Sequence, residues 1–377
     1  MEKDVYELTN AQKSIWNTEL FYNGSNINNI CGTINIFEPL DINALKEALH
    51  LIVAENDNLH AQFYIKDGCI YQSFKKDLDY NIDVLEISSK TDLRKLERKM
   101  RSHIFDILHS DLFDFKIFKY PDSTGGVVVN IHHLISDSWT LGLIAKNIIK
   151  KYYSISHNIP METNKASYID YINYEQKYLS SNKFQKDKEF WQNYLENRPD
   201  SITMPTFKKN IKQNFSYKAK RKILHLPSSL IKKMNDFCHA HNVSLFNLFM
   251  AVYSIYIGRV NHSNDFILGT PILNRTSVSQ KNTMGMFINT VPARIKIEDN
   301  DNIEILSDKL SVLGSKMIVN YLEDIINGKI VGVKQDNDKA TFARIIKRSD
   351  EHLDFNVSNR DVYNKFRALS PNPLPNF

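Results

Sequence analysis

Ile131-His132-His133-Leu134-Ile135-Ser136-Asp137-Ser138-Trp139 is the stretch that decides the reading of this chain. Val127 to His133 reads as a strand, nearly all apolar until it reaches His132-His133, which predicts a central, buried position. That strand delivers two histidines to its end, and a carboxylate follows four residues after the second. Neighbouring side chains on a strand point to opposite faces, so one histidine can face a given cavity while the other packs behind it. An imidazole beside a cleft suits general-base work because its free pKa lies near neutrality. Taken alone, the same residues also fit a pair of satisfied core histidines. Ser138 to Lys150 then reads as a helix with Leu141, Ile144 and Ile148 inward.

Upstream, Thr9 is placed to cap a helix carrying Ala11, Ile15, Trp16 and Leu20 on one face, which Asn23-Gly24-Ser25 breaks. Ile30, Gly32, Ile34 and Ile36 alternate with polar residues as in a half-buried strand. Asp41 caps a second helix with Leu45, Leu49, Ile52 and Val53 inward. A hairpin turns at Lys66-Asp67-Gly68, between His60–Tyr64 and Cys69–Phe74. A helix through Leu93, Leu96, Met100 and Ile104 follows, then a strand over Phe113 to Phe118. Gly125-Gly126 reads as a turn, with no Lys-Ser/Thr after it to make a phosphate loop. Farther on come helices at Ser228–His241 and Ser244–Ile257 and strands at Phe266–Gly269 and Phe287–Ile297. Helices and strands mix without strict alternation, so the expected class is α+β.

The 377 residues suffice for two or three packed units. A hydrophobic share of 42% with 11% aromatics fits a globular chain and argues against wholesale disorder. No apolar run reaches membrane-spanning length, and the start, Met1 to Leu8, is acidic where a signal peptide would be basic, so no membrane role and a cytoplasmic location are expected. Forty-eight basic against 43 acidic residues leave a net charge of +5, too little for a typical nucleic-acid binder. Lys208 to Lys222 is the densest basic stretch, readable as a solvated connection between lobes or as a docking surface for an acidic partner. Cys31, Cys69 and Cys238 lack zinc or redox spacing. Cys238-His239 with His241 has no second cluster, so no metal is expected. His103, His109 and Asp111 read as surface residues or caps.

Five segments, in order, carry a family resemblance. The histidine stretch resembles the HHxxxDG signature of nonribosomal peptide synthetase condensation domains, relatives of chloramphenicol acetyltransferase. Leu8 to Trp16 resembles their opening motif, with Ala11-Gln12 and Trp16 in register. Asp57 to Phe63 looks like their second motif, with His60 where an arginine is usual. Tyr168 to Tyr171, with Phe190-Trp191 and Leu195, is similar to the segment closing the first lobe. Gly269-Thr270-Pro271 with Arg275, then Gly285 to Thr290, resembles the second-lobe motif.

The resemblance implies a two-lobed, chloramphenicol acetyltransferase-like fold, with a first lobe over 1–175 and a partial second lobe over 176–296. It implies a reaction in which an amine on one carrier protein attacks an acyl or peptidyl thioester on another. The chain itself would bind no cofactor. The phosphopantetheine arms belong to the carrier partners, and adenylation or other synthetase modules would be neighbours. His133, in the His132-His133 pair, would be the catalytic base, and Asp137 would face away from substrate in a salt bridge with Arg275. The backbone N–H of Ser138 would stabilise the oxyanion; a serine where glycine is usual would be strained were φ positive there. Trp139 and Asn289 would line the substrate tunnel, although Asn289 also fits a polar residue satisfying a strand edge. An alcohol acceptor, giving an ester, keeps the same residues.

From about Asn302 onward the sequence resembles methionyl-tRNA formyltransferase instead. Leu306 to Leu310, Leu313-Gly314 and the apolar positions Met317, Tyr321 and Ile325 look like the last helix of its catalytic domain. Gln335 to Ala343, Asp354-Phe355 and Phe366 to Pro371 resemble the segments after it. None of that family's catalytic residues is included, so formyl transfer is not expected from 297–377. The junction near Ile295 to Asn302 reads as a fusion, a deletion scar or an assembly error. An inactive remnant that binds a carrier or synthetase partner is the rival to an enzyme.

Overall fold

The computed structural model describes residues 4–161, 163, 166–202, 222–261, 263–297 and 360. The basic stretch up to Arg221 and the formyltransferase-like segments lie outside them. The described residues form two compact units, one of 4–188 with 273–289, the other of 189–272 with 290–297. Residues 273–289, expected with the second lobe, thus cluster with the first unit.

The first unit opens with β1 (Tyr6–Glu7) and α1 (Asn10–Phe21). Thr9 caps α1 in a reciprocal capping box with Gln12. β2 (Asn29–Ile36) leads to α2 (Ile42–Glu55), whose first-turn amides are held by Asp41. A 3₁₀ turn, Asp57–His60, feeds the hairpin of β3 (Ala61–Lys66) and β4 (Cys69–Phe74). Its two turn residues, Asp67 and Gly68, have φ of 51° and 75°, as a primed hairpin turn requires. β5 (Asp83–Glu86), α3 (Lys90–Arg101), β6 (Phe113–Lys119) and β7 (Gly125–His132) follow. α3 stops three residues short of Ile104, which is 53% exposed. α4 (Ser138–Ser156) and α5 (Tyr168–Leu179) come next, then α6 (Asn182–Tyr194).

Two sheets result, one ordered β1-β4-β3 and the other β2-β7-β6-β5. In the second, β7 is antiparallel to both neighbours while β5 runs parallel to β6. This mixed sheet makes the class α+β, as the sequence pattern implied.

β7 is buried along its whole length and is sided by parity. Val127, Val129 and Ile131 join the main core with Leu45, Leu49 and Ile52 of α2 and Ile144 and Ile148 of α4. Val128 packs with Leu93, Leu96 and Met100 of α3, and Asn130 Nδ2 donates to Met100 O at 2.7 Å. The expected turn at Gly125-Gly126 is in fact the start of this strand. A Cβ would stand 2.2 Å from Phe118 O at Gly125 and 2.0 Å from Ile34 O at Gly126. These glycines therefore let three strands close up.

The second unit contains α7 (Ser228–Ala240), α8 (Leu245–Val260) and β8 (Asp265–Ile272). α9 (Val278–Asn282) lies in the 273–289 segment of the first unit, ahead of β9 (Asn289–Lys296), which pairs with β8. β9 starts two residues later than expected, because Phe287 is committed to the first unit's core. Ile257, Phe266 and Ile295 form the second unit's own small core. Among the described residues no single helix is long and apolar enough to cross a membrane.

Candidate active site

The parity of β7 decides where the two histidines go. His132 continues the side of Val128 and Asn130, facing α3 and the loop after it, where it meets the Phe105 ring edge-on at 6.0 Å. Its Nδ1 accepts from the Leu134 backbone N–H at 3.1 Å, so Nδ1 carries the lone pair and the proton resides on Nε2. Nε2 then donates to Glu19 Oε1 at 3.1 Å. Both ring nitrogens of His132, grouped with the catalytic residues by its motif, are thereby engaged.

His133 lies one residue past the end of β7, and its own N–H is anchored on Asn28 O at 2.8 Å. Its ring Nδ1 is buried without a hydrogen-bond partner among the described residues. Burial holds the ring below the usual histidine value, with nearby backbone and the charge of Asp137 offsetting this in part. A neutral imidazole near physiological pH is the form a base requires.

Asp137 is fully buried and has three kinds of donor. Its Oδ1 caps α4 by accepting from Thr140 N at 2.8 Å, and Oδ2 accepts from Phe287 N at 3.2 Å. Arg275 Nη2 reaches Oδ1 and Oδ2 at 2.9 and 3.0 Å. Arg275, also fully buried, donates besides to Thr140 Oγ1 and to the carbonyls of Gln280, Thr283 and Gly285. The guanidinium carbon sits 3.9 Å above the Phe287 ring. The structure thus brings Asp137 and Arg275 together, on the inner side of the loop that follows His133.

Ser138 is the first residue of α4 and is absent from the residues with positive φ, so serine replaces glycine there without left-handed strain. Its N–H, a first-turn donor, takes no partner among the described residues. Trp139 is 38% exposed and donates through Nε1 to Lys281 O at 2.8 Å. Asn289 is half-buried at the first position of β9.

The other motif segments converge on this loop. Gln12 Nε2 donates to Leu134 O at 3.1 Å while pairing reciprocally with the Gln72 amide, and Asn58 Nδ2 donates to Ile135 O at 3.0 Å. Asp57 accepts from Tyr168 N and Ile169 N at the start of α5, and Tyr168 OH donates to Met286 O at 2.7 Å. His60 sets both ring nitrogens against carbonyls, Val53 O at 2.8 Å and Lys75 O at 3.0 Å. Three participants escaped the sequence reading: Glu19, Asn28 and Thr140. Their spacing from the histidines gives no local signal, whereas Gln12 carries two, its register in the opening motif and its capping-box distance from Thr9.

Comparison with known proteins shows the family and the fold. The condensation-domain profile matches residues 2–313. Surfactin synthase subunit 1 of Bacillus subtilis (strain 168) is 28% identical over 324 residues, which is 83% of this chain and 9% of that protein. Bacitracin synthase 3 of Bacillus licheniformis is 24% identical over 373 residues, 99% of this chain and 5% of that protein. The chain therefore spans about a tenth or less of the length of these curated relatives. Among solved structures, the condensation domain of the monacolin K polyketide synthase MokA superposes with a TM-score of 0.73 at 16% identity, covering 83% of this chain and 73% of that one. The first condensation domain of the calcium-dependent antibiotic synthetase, in complex with a substrate analogue, gives 0.70 at 15% identity, covering 84% and 75%. The fold is the chloramphenicol acetyltransferase-like one implied by the motifs, and the chain belongs to the condensation-domain family.

Proposed function

We propose that this chain forms an amide bond between two carrier-bound substrates, with His133 as the base. The amine of an aminoacyl thioester attacks the carbonyl carbon of an acyl or peptidyl thioester. His133 takes the proton from the attacking nitrogen, the C–S bond breaks, and the proton passes to the departing thiolate. With Nδ1 buried, Nε2 is the nitrogen given this task. The Ser138 N–H, at the positive end of α4, is assigned to the developing oxyanion. Asp137 and Arg275 are positioning residues that hold the loop, and His132 braces the strand end from behind. Trp139 and Asn289 are assigned to the substrate passage.

One observation carries the proposal. Burial holds the His133 imidazole below the usual histidine value, toward the neutral form a base needs, while the motif's carboxylate is engaged by Arg275 and by its own helix cap. Both thioesters arrive on phosphopantetheine arms of separate carrier proteins, next to adenylation modules and in the cytoplasm. Residues 302–377 are read as formyltransferase-like from their motifs alone. The condensation match runs to residue 313, past the junction expected at 295–302, and no formyl transfer is assigned to the chain. Mixing the protein with loaded donor and acceptor carriers is expected to give the condensed product on the acceptor. His133→Ala is expected to lower the rate about 10²–10⁴-fold. Equal turnover by a folded His133→Ala variant refutes the assignment.

A further inference from the structure

On the side of β7 away from His133, the first unit carries a cavity of about 420 Å³ that the proposed reaction does not use. Its size is that of a small-ligand site. Trp16 and Leu20 of α1 and Ile104 and Phe105 of the loop after α3 supply apolar walls, and Asp106 adds a carboxylate. Glu19 also lines it, with a side chain only 11% exposed.

Glu19 has one carboxyl oxygen that no described residue engages. Burial pushes its carboxyl up, but the hydrogen bonds from His132 and Asn28, together with the charge of His132, hold it below the usual value. His132 serves it as a donor through Nε2, while its Nδ1 accepts from the Leu134 N–H. Asn28 is neutral. Both of these donors land on Oε1, at 3.1 Å from His132 Nε2 and 2.6 Å from Asn28 Nδ2. No described residue donates to Oε2. Asp106 is shared with the exposed His109 ring at 3.0 Å, and among the described residues no lysine or arginine lines the cavity. A nearly buried carboxylate with one oxygen unengaged by the described residues, set in apolar walls, suits a charged donor.

We propose that this cavity binds a primary ammonium carried on a short apolar stem. The ammonium would donate to Glu19 Oε2, and the stem would cover Trp16, Leu20 and Ile104. The site stands apart from the catalytic reading of His133, and it holds whether or not that reading does.

The test titrates the full chain with two amines, phenethylammonium as a free amine and Nα-acetyl-lysine amide as a peptide side chain. Binding is followed at the Trp16 indole N–H by NMR, assigned with Trp16→Phe. At least one amine is expected to bind saturably, and the tighter one identifies the source of the group. Phenethyl alcohol, the neutral counterpart, is expected to bind at least about tenfold more weakly, the weight of one hydrogen bond to a charged group. Glu19→Gln should remove that preference without changing alcohol binding. Leu20→Trp, at an exposed wall position, should block both and keeps the test valid if Glu19→Gln misfolds. Equal binding of amine and alcohol, an unmoved Trp16 signal with both amines, or an undiminished preference in Glu19→Gln overturns the proposal.

Discussion

Arg275 grips both oxygens of Asp137 through a single nitrogen, at 2.9 and 3.0 Å, with neither side chain exposed to solvent. The two residues are 138 positions apart, so this contact fastens the 273–289 segment to the turn after β7. Desolvating two charges offsets much of their attraction, so the pair adds little net stability, yet removing one partner strands the other. Arg275→Ala is therefore expected to cost about 3–5 kcal/mol in urea unfolding. Arg275→Lys should recover little, since a lysine's three donors cannot meet acceptors on Asp137, Thr140, Gln280, Thr283 and Gly285 together. A loss below about 1 kcal/mol for Arg275→Ala would mean that the contact is not made in solution.

Gly285 lies beneath the same helix start, exchanging hydrogen bonds with Thr140 Oγ1. Its φ is +151°, and a Cβ there would stand 2.2 Å from the Tyr168 ring. Tyr168 is fully buried and cannot swing aside. Gly285→Ala thus combines backbone strain with overpacking, each of about 1–3 kcal/mol. Urea unfolding should register their sum, while Gly142→Ala, which meets nothing within 4 Å, should be neutral or mildly stabilising.

Glu175 offers a pH test of the interior. It is buried, accepts from Asn10 N at 3.0 Å and Tyr171 OH at 3.3 Å, and burial raises its pKa despite these bonds. The folded chain therefore holds this proton more tightly than the unfolded one, whose value is about 4.3. Its contribution is most favourable below that value and is lost as pH rises through the raised one. Glu175→Gln should be more stable than the parent at pH 8, and the advantage should shrink as pH falls toward 4. An advantage independent of pH in thermal melts would contradict this.

The site was half legible in the sequence. An apolar run ending in two histidines fixes opposite facings for them, because alternation along a strand is local geometry. It does not reveal what each meets, since Glu19 and Asn28 come from α1 and the chain before β2, more than 100 residues away. Thr9, Asp41 and the Asp67-Gly68 turn were readable because caps and turns are decided within four residues. Gly125-Gly126 misled because two glycines signal a turn and a close strand approach equally well, and the neighbours Phe118 and Ile34 are invisible locally. Phe287 was read as strand from its apolar neighbours, yet its ring is spent on Arg275, Tyr168 and Tyr171.

The lowered pKa of His133 sets the acid limb of the proposed reaction. A base must be unprotonated, and burial keeps this ring so at pH values where an exposed histidine, at about 6.5, would be charged. The acid-side midpoint of the pH–rate profile is expected below that value. The same shift makes the folded state bind fewer protons, so His133 favours folding above the unfolded pKa and loses that contribution as pH falls through the folded one. A midpoint above 6.5 would assign the limb to another group.

The role given to the Ser138 N–H can be separated from its side chain and from the fold. Ser138 occupies the first position of α4, where proline is well tolerated because the missing N–H has no helical partner. Asp137 has φ −132° and ψ 179°, the extended backbone that a following proline demands. Ser138→Pro should therefore keep the fold while deleting one donor, and turnover should fall about 10²–10³-fold. Ser138→Gly restores the residue usual in this family with the N–H intact, and should leave turnover within about twofold of the parent, far less than any lost oxyanion donor. Unchanged turnover in a folded Ser138→Pro protein, verified by its circular dichroism and melting temperature, would take the oxyanion away from this helix and require a different donor.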